Sequence, residues 1–556
     1  MLVKILDILQ RSKIYQFLSG TLAVRDGDES ASASNLMKWQ GILEIILLGL
    51  GVSIVLAHTN PLYSLPGRDG SFFLYTGNQL LKGKLLYVDI WDHKAPLIFY
   101  INAFSLWIGH GSLWGLWLVE YLFLFFSAIT GFSFMKKLWG PTPALFGTLV
   151  WLFTLNIIFE LKGGNFTEEF SLLFNFLAIF IFWKSNLNKK NSFYPLIIGI
   201  TLGLSFLLRA NNIGVQLSII SVMVLSCVLD KDYRLVLKQL FLISIGVLSI
   251  FALVALYFQS LGTLEEMFNA SITYNYYYSE GGTGMAYFGS HIRNGVILFG
   301  EPFILIMVFA YILLFRKIRQ DDSSGEVAAR NIGLLFLIGF PVEALLSSLS
   351  GRGYIHYYTF WTPYFGFLSG MLVSLIERIK VNYLIIWSLM FVLITSTNLD
   401  LLGEYRVAFS KILFERSDGI ELEDDWVVKY VRNKTKPDDK VLIWGIQPKI
   451  NFLSDREAPS SINIYPLIAE SPFTNVLNER FYTELVENKP TLIVDMAEKT
   501  EIPFIDPTRR KDTDNLRKSF TPPHNIEQVF DFILSNYHIE KKVKDVTIYR
   551  INENVP

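Results

Sequence analysis

The sequence predicts an α-helical polytopic membrane protein of about eleven spans, with interfacial helices in its first outer loop and a small α/β extracytoplasmic domain at its carboxyl end. Three observations lead there: apolar runs of membrane length, an uneven spread of charge, and short β-type runs confined to the carboxyl-terminal region. Of 556 residues, 51% are hydrophobic and only 18% charged. A formal net charge of −1 with positive mean hydropathy excludes a disordered chain. The single cysteine, Cys227, excludes an intrachain disulfide framework. Residues 1–399 hold 27 Lys+Arg and 23 Asp+Glu, whereas residues 400–556 hold 22 and 27. The first part is therefore suited to a bilayer and the last to water.

In chain order, the amino-terminal Leu2, Ile5, Leu6 and Leu9 share one helical face beside Lys4, Arg11 and Lys13. This predicts an amphipathic helix on the cytoplasmic membrane surface, followed by a polar linker at Asp26–Ser34. No cleavable signal is predicted, because the first apolar run starts too late for one. Spans are predicted at Gly41–Ala57, Leu113–Met135, Thr142–Phe159, Phe170–Trp183, Phe193–Leu208 and Ile213–Leu229. Further spans follow at Gln239–Phe258, Ile292–Phe315, Ile332–Leu349, Tyr358–Ile376 and Tyr383–Leu399. Ala95–Gly109 is shorter and contains Pro96. Lys136-Lys137, Lys184–Lys190, Lys231/Arg234/Lys238, Arg316/Lys317/Arg319 and Arg378/Lys380 all fall on one side, the cytoplasmic one, if Ala95–Gly109 does not cross, the alternative being that it crosses paired with a further span. It is therefore expected to lie at the outer interface. Odd parity then puts the tail outside.

Under this topology His58, His93, His110, His291 and His356 all lie at outer ends or loops. The first outer loop is dense in ionisable groups: Gly67-Arg68-Asp69-Gly70, then Tyr87-Val88-Asp89-Ile90-Trp91-Asp92-His93-Lys94-Ala95-Pro96. Glu44, Glu120, Glu301 and Glu343 fall in or beside spans, where ionisable groups are expensive; Glu301 and Glu343 are expected to line a cavity, with helix–helix hydrogen bonding an equal reading. Gln259–Ser290 is expected as a long mobile loop, its glycine run Gly281-Gly282-Thr283-Gly284 lacking the strand and lysine of a nucleotide loop.

An Asp soon after the first span, the Gly83–Asp89 stretch Gly-x-x-Leu-Tyr-x-Asp, and His93-Lys94-Ala95-Pro96 entering an apolar helix resemble the integral-membrane glycosyltransferases of the GT-C class. The likeness is to the bacterial relatives of protein O-mannosyltransferases and of the lipid A aminoarabinose transferase. Asn165-Phe166-Thr167-Glu168-Glu169, Arg352-Gly353-Tyr354-Ile355-His356-Tyr357 and Pro437–Gly445 extend it along the chain. The resemblance divides the sequence into a cytoplasmic segment (1–39), a GT-C-like catalytic transmembrane domain (40–399) and an extracytoplasmic α/β domain (400–556). It implies inverting transfer of a sugar from a polyprenyl-phosphate donor to an acceptor hydroxyl at the outer face of the cytoplasmic membrane.

Such a reaction needs one base for the acceptor proton and cations for the departing phosphate. Asp69 is the expected base, although Gly70 stands where the family often carries a second acid. Asp-Gly is also an ordinary turn. Lys94, Arg209, Arg352, His356 and His93 are expected to bind the donor phosphate, with headgroup snorkelling the competing reading for Arg209. Glu168, Glu169, Tyr354 and Tyr357 are expected to bind acceptor or sugar, with helix-start capping the competing reading for the two glutamates. No essential cofactor is predicted, and a divalent metal is left open. The acceptor is a lipid, a glycan or a protein; no nucleic-acid partner is expected. Strands are predicted at Val441–Trp444, Thr491–Val494 and Val546–Ile551, and a helix at Asn525–Ser535. The rival functions are a lipid or lipid-linked-sugar flippase, opposed by the absence of an internal repeat, and a non-catalytic assembly component.

Overall fold

The structure, a computed structural model, describes residues 29–62, 65–188, 191–280, 285–320, 327–349, 351, 353–378, 388, 425–465, 467, 472–497, 502–513 and 523–553. The amphipathic segment at Leu2–Leu9, the Gly281–Gly284 run, Arg352 and nearly all of the expected Tyr383–Leu399 span lie outside the described residues.

Helix α1 (Glu29–Val55) runs into a 3₁₀ turn at Leu56–Thr59. It takes in Glu29–Ser34, expected as linker, because Ser-Ala repeats without Gly or Pro offer nothing to stop a helix once it is nucleated. Two shorter helices follow, α2 (Arg68–Leu81) and α3 (Leu97–Ile108). At 12 residues, α3 spans about 18 Å, well short of a ~30 Å hydrocarbon core. Then come α4 (Leu113–Trp139), α5 (Pro141–Lys162), α6 (Thr167–Leu187), α7 (Phe193–Leu208), α8 (Gly214–Leu229) and α9 (Tyr233–Ser260). The expected loop after α9 is largely helical: α10 (Leu264–Phe268), a π-helical turn (Asn269–Thr273) and α11 (Tyr274–Glu280).

The run expected as one span at Ile292–Phe315 is two helices, α12 (Met285–Phe299) and α13 (Glu301–Gln320), bent by 112°. Gly300 at φ +84° ends the first, and Pro302 suits the opening turn of the second. After α14 (Val327–Ser348), a 3₁₀ segment (Ile355–Trp361) leads into α15 (Thr362–Arg378). Among the described residues, seven helices are long and apolar enough to cross a membrane, eight with the bent pair, and α7 and α8 are apolar but shorter. The chain is a multi-pass membrane protein.

The tail contains α16 (Asp425–Lys434), β1 (Val441–Trp444), α17 (Pro448–Ser454), α18 (Thr474–Asn488), β2 (Leu492–Asp495), α19 (Pro507–Thr513), α20 (Ile526–Asn536), β3 (Tyr537–Val543) and β4 (Val546–Ile551). Its sheet has the order β1-β2-β4-β3, with β1 and β2 parallel and the other pairs antiparallel. Val441, Ile443, Leu492, Val494 and Ile548 form a core with Val427 and Val431 of α16.

Contacts divide the chain into two compact units. A membrane unit comprises Met1–Asn60, Trp117–Phe251 and Met285–Ser417; a tail unit comprises Pro61–Leu116, Ala252–Gly284 and Asp418–Pro556. In the membrane unit α5 is the central helix, and it meets α15 where a Cβ added to Gly366 would lie 2.5 Å from the Gly147 carbonyl oxygen. Such small-residue contacts let apolar helices approach closely where lipid gives no hydrophobic drive. Side-chain bonds join other helices: Asn212 to Ser171 at 2.7 Å, Gln216 to Asn175 at 3.0 Å and Asn331 to Asn186 at 2.6 Å. In the tail unit α2 packs on α3 through edge-on Phe73–Phe99 and through Gly77, where a Cβ would meet the Ala103 nitrogen at 2.7 Å.

Candidate functional site

The expected site residues that the structure describes fall in two clusters, one in each unit. In the tail unit, Gly67 caps α2, and Asp69 sits in its first turn, where the helix dipole favours negative charge. Its Oδ2 lies 3.9 Å from Lys94 Nζ and its Oδ1 3.6 Å from Arg68 Nε. Lys94 reaches this position because buried Asp92 accepts its backbone N–H at 2.7 Å, while the Tyr87 hydroxyl donates to its carbonyl at 2.8 Å. The Lys94 ammonium also lies 5.2 Å from the Phe73 ring centre. His93 Nδ1 is 3.5 Å from Asp92, and the His93 carbonyl accepts from Asn275. A carboxylate beside an ammonium, both part-exposed, pairs a proton acceptor with a cation for phosphate.

The tail holds the segment that carries these groups. Ser461 O accepts the Trp91 N–H at 2.9 Å, Val88 O accepts from Arg480, and the Tyr75 hydroxyl accepts the Ala458 N–H at 3.0 Å. Glu484 gathers Ser460 Oγ, Ser461 N and Arg480 Nε at 2.7, 2.7 and 2.9 Å. Burial would raise the Glu484 pKa, but these donors outweigh it and hold the carboxyl below its ordinary 4.5.

In the membrane unit, Arg209 ends α7 and ion-pairs with buried Glu168 on α6. Its guanidinium stacks 3.8 Å from the Tyr357 ring centre. His356 lies parallel to Phe166 at 4.9 Å and to Tyr354 at 5.7 Å, with Tyr357 edge-on to it at 4.7 Å. Arg209, Glu168, Tyr354, His356 and Tyr357 are thus brought together; Arg352 of the same sequence motif lies outside the described residues.

Glu169 makes the contact that the competing, helix-start reading expects. It is fully buried, and its Oε2 turns back to accept the N–H groups of Asn165 at 2.9 Å and Phe166 at 3.5 Å. This is the carboxylate half of a capping box; the N-cap, Phe166, has no side-chain acceptor to return the bond. Glu120 on α4 is also buried, bonded to the Asn165 backbone and Thr59, and Gly164 allows the approach: a Cβ there would stand 2.5 Å from Glu120 Oε1. The expectation that Glu301 and Glu343 line a cavity gives way as well. Glu301 is exposed at the start of α13, and Glu343 is buried against Gly214 at the start of α8. Sequence reasoning missed Phe166 as the stacking partner of His356, and Asn275 and Tyr87 as supports for residues 93–94. The aromatic-rich Tyr274–Tyr278 run was the available signal for Asn275. Among the described residues no group of three or more His, Cys, Asp or Glu is arranged to hold a metal.

A long-helix membrane unit, two short helices after the first long one and a small α/β tail make up a fold that this chain shares with solved membrane proteins. The particular likeness is to ArnT from Cupriavidus metallidurans. Its structure bound to undecaprenyl phosphate matches at a TM-score of 0.56 with 11% identity, over 92% of this chain and 98% of that one. The apo structure of the same protein also matches at 0.56, with 10% identity over 94% and 98%. No family model matches the sequence, and no curated protein does.

Proposed function

We propose that this chain transfers a sugar from a polyprenyl-phosphate donor to an acceptor hydroxyl at the outer face of the cytoplasmic membrane, with the amino terminus inside and the tail outside. The observation that carries the reading is the Asp69–Lys94 pair, held 3.9 Å apart in a fold shared with a protein solved with undecaprenyl phosphate bound. In this reading an Asp69 carboxylate oxygen takes the acceptor hydroxyl proton as that oxygen bonds to the anomeric carbon. The bond from that carbon to the phosphate oxygen breaks on the opposite face, so configuration inverts and polyprenyl phosphate departs with the electron pair. Lys94, Arg209 and Arg352 supply positive charge to the leaving phosphate, and His93 and His356 donate hydrogen bonds. Tyr354 and Tyr357 offer ring faces to a sugar. Glu168 orients Arg209 through the ion pair, and Glu169 shapes the turn before α6.

The test uses purified protein in lipid nanodiscs with radiolabelled polyprenyl-phosphate sugars. Release or transfer of sugar by the wild type, lost in Asp69→Asn, supports the reading. Turnover unchanged in Asp69→Asn removes Asp69 as the base, and lipid translocation without any sugar release replaces the reading with the flippase.

A further inference from the structure

The tail unit contains a cavity of about 150 Å³ bounded by three stretches of chain: Trp91 before α3, Asn269 and Tyr274 around the π-helical turn, and Phe473 and Arg480 at α18. A cavity of roughly this size accommodates a single six-membered ring, and it is too small for a coiled isoprenoid or a peptide segment. Trp91 and Tyr274 meet edge-on at 5.0 Å and give the wall an aromatic surface. Asn269, Arg480 and Glu266 stand among its lining residues, and its surface is mainly carbon.

Charge narrows the ligand further. Arg480 already gives Nε to Glu484 at 2.9 Å and another N–H to the Val88 carbonyl, so its positive charge is answered. Glu266 adds a negative charge, which disfavours phosphate or carboxylate. The ligand that fits is a neutral ring with hydroxyls on its edge and carbon on its face, the surface on which aromatic side chains pack. The π turn is a second sign. Such turns give up regular helical hydrogen bonding and are frequent at functional sites, and this one places Asn269 and Ala270 on the cavity wall. Trp91 stands three residues before Lys94, so the cavity wall continues directly into the segment that carries the Asp69 partner.

We propose that this cavity is a pyranose subsite holding one neutral sugar unit of the acceptor, with Asn269, Glu266 and Arg480 bonding its hydroxyls and the Trp91–Tyr274 wall covering its carbon face. The assignment of that sugar to an acceptor rests on the glycosyl-transfer reading above; the sugar site itself does not. The test is saturation-transfer NMR on the full chain in nanodiscs with methyl α-glycosides of glucose, mannose, galactose and N-acetylglucosamine. At least one probe is expected to receive saturation. Asn269→Ala is expected to weaken it about tenfold, one lost hydrogen bond, and Ala270→Phe to abolish it by filling the cavity. Donor hydrolysis should persist in both variants. Asn269→Ala removes only a part-exposed side chain and keeps the test valid where the larger residue disturbs folding. No saturation of any probe, or saturation unchanged in both variants, overturns the subsite. Probe binding lost together with donor hydrolysis places the sugar at the donor and overturns the acceptor assignment. Probe binding in a protein that never turns over donor leaves the subsite standing and removes the transferase reading instead.

Discussion

Replacing Glu168 tests whether the Arg209 cluster is a strained charge site or a simple surface pair. The Glu168 side chain is 2% exposed and the Arg209 side chain 25%, so removing the carboxylate leaves a guanidinium mostly out of water with no opposite charge beside it. Stranding one member of a buried pair costs roughly 3–5 kcal/mol. Arg209 keeps some solvent and the Tyr357 face, a contact worth about 1 kcal/mol, so Glu168→Ala belongs near 3 kcal/mol. Arg209→Ala leaves the less exposed partner, supported by Thr167 Oγ1 at 2.9 Å, and is expected near 4 kcal/mol. In the double variant no charge is stranded, so its loss should fall below that of either single variant rather than reach their sum. The assay is the thermal midpoint of the four proteins in one detergent, read by tryptophan fluorescence. Additive losses in the double variant refute the reasoning, because two exposed and independent groups would behave that way.

Asp69→Asn keeps the shape of the α2 amino terminus, so the fold should be retained while sugar release falls by about 10²–10⁴-fold, the usual contribution of a general base; rate measurements at saturating donor check this. Gly366→Ala places a methyl 2.5 Å from the Gly147 carbonyl and should cost roughly 1–3 kcal/mol by overpacking, whereas Gly289→Ala meets nothing within 4 Å and should leave the thermal midpoint unchanged or raised. Glu484 has a folded pKa below its ordinary 4.5, so the stability it gives is present above that value and is lost as pH falls through the folded one. The protection factor of the Trp91 amide, its exchange rate relative to an unstructured amide at the same pH, should therefore fall in acid in the wild type, and Glu484→Gln should show low protection already at neutral pH with a flatter acid limb. Equal pH profiles for the two proteins would exclude Glu484 as the anchor.

The parts legible in sequence are those whose signal is local. Val441–Trp444 and Val546–Ile551 are strands at the expected positions, because each is an apolar run that carries its own burial. Strand β3 was not legible: Lys541 and Lys542 interrupt its apolar run, and edge pairing to β4 makes it a strand. Helix α18 did carry a signal, Leu477, Phe481 and Leu485 at helical spacing, all three buried, within an otherwise polar stretch. The bend at Gly300 was hidden because hydropathy sees composition and not direction. At the site, Asp69, Lys94 and Arg209 were nameable one by one. That Arg209 pairs with Glu168, 41 residues away, is a tertiary fact. So is the different fate of neighbouring Glu168 and Glu169: consecutive helical side chains point about 100° apart, so one meets Arg209 and the other folds back on its own helix start.

Magnitude also separates the contacts that fix residues 88–94 from those that only decorate them. Lys82–Asp455 at 2.7 Å and Lys84–Glu457 at 3.1 Å are the visible charge pairs between the first loop and the tail, yet their side chains are 31–61% exposed. Exposed pairs of this kind contribute about 0–1 kcal/mol each and less in salt. The Trp91 N–H to Ser461 and the Ala458 N–H to Tyr75 are buried, and breaking either strands a polar group at roughly 1–3 kcal/mol. The register of the loop on the tail is therefore set by neutral bonds and by the Glu484 network behind Ser461, and high salt should leave it intact. Lys94 follows Trp91 by three residues and is itself tied to Asp92 and Tyr87, so its distance from Asp69 is fixed through backbone bonds that touch no substrate. The α/β tail thus holds one short segment, and with it Lys94, still.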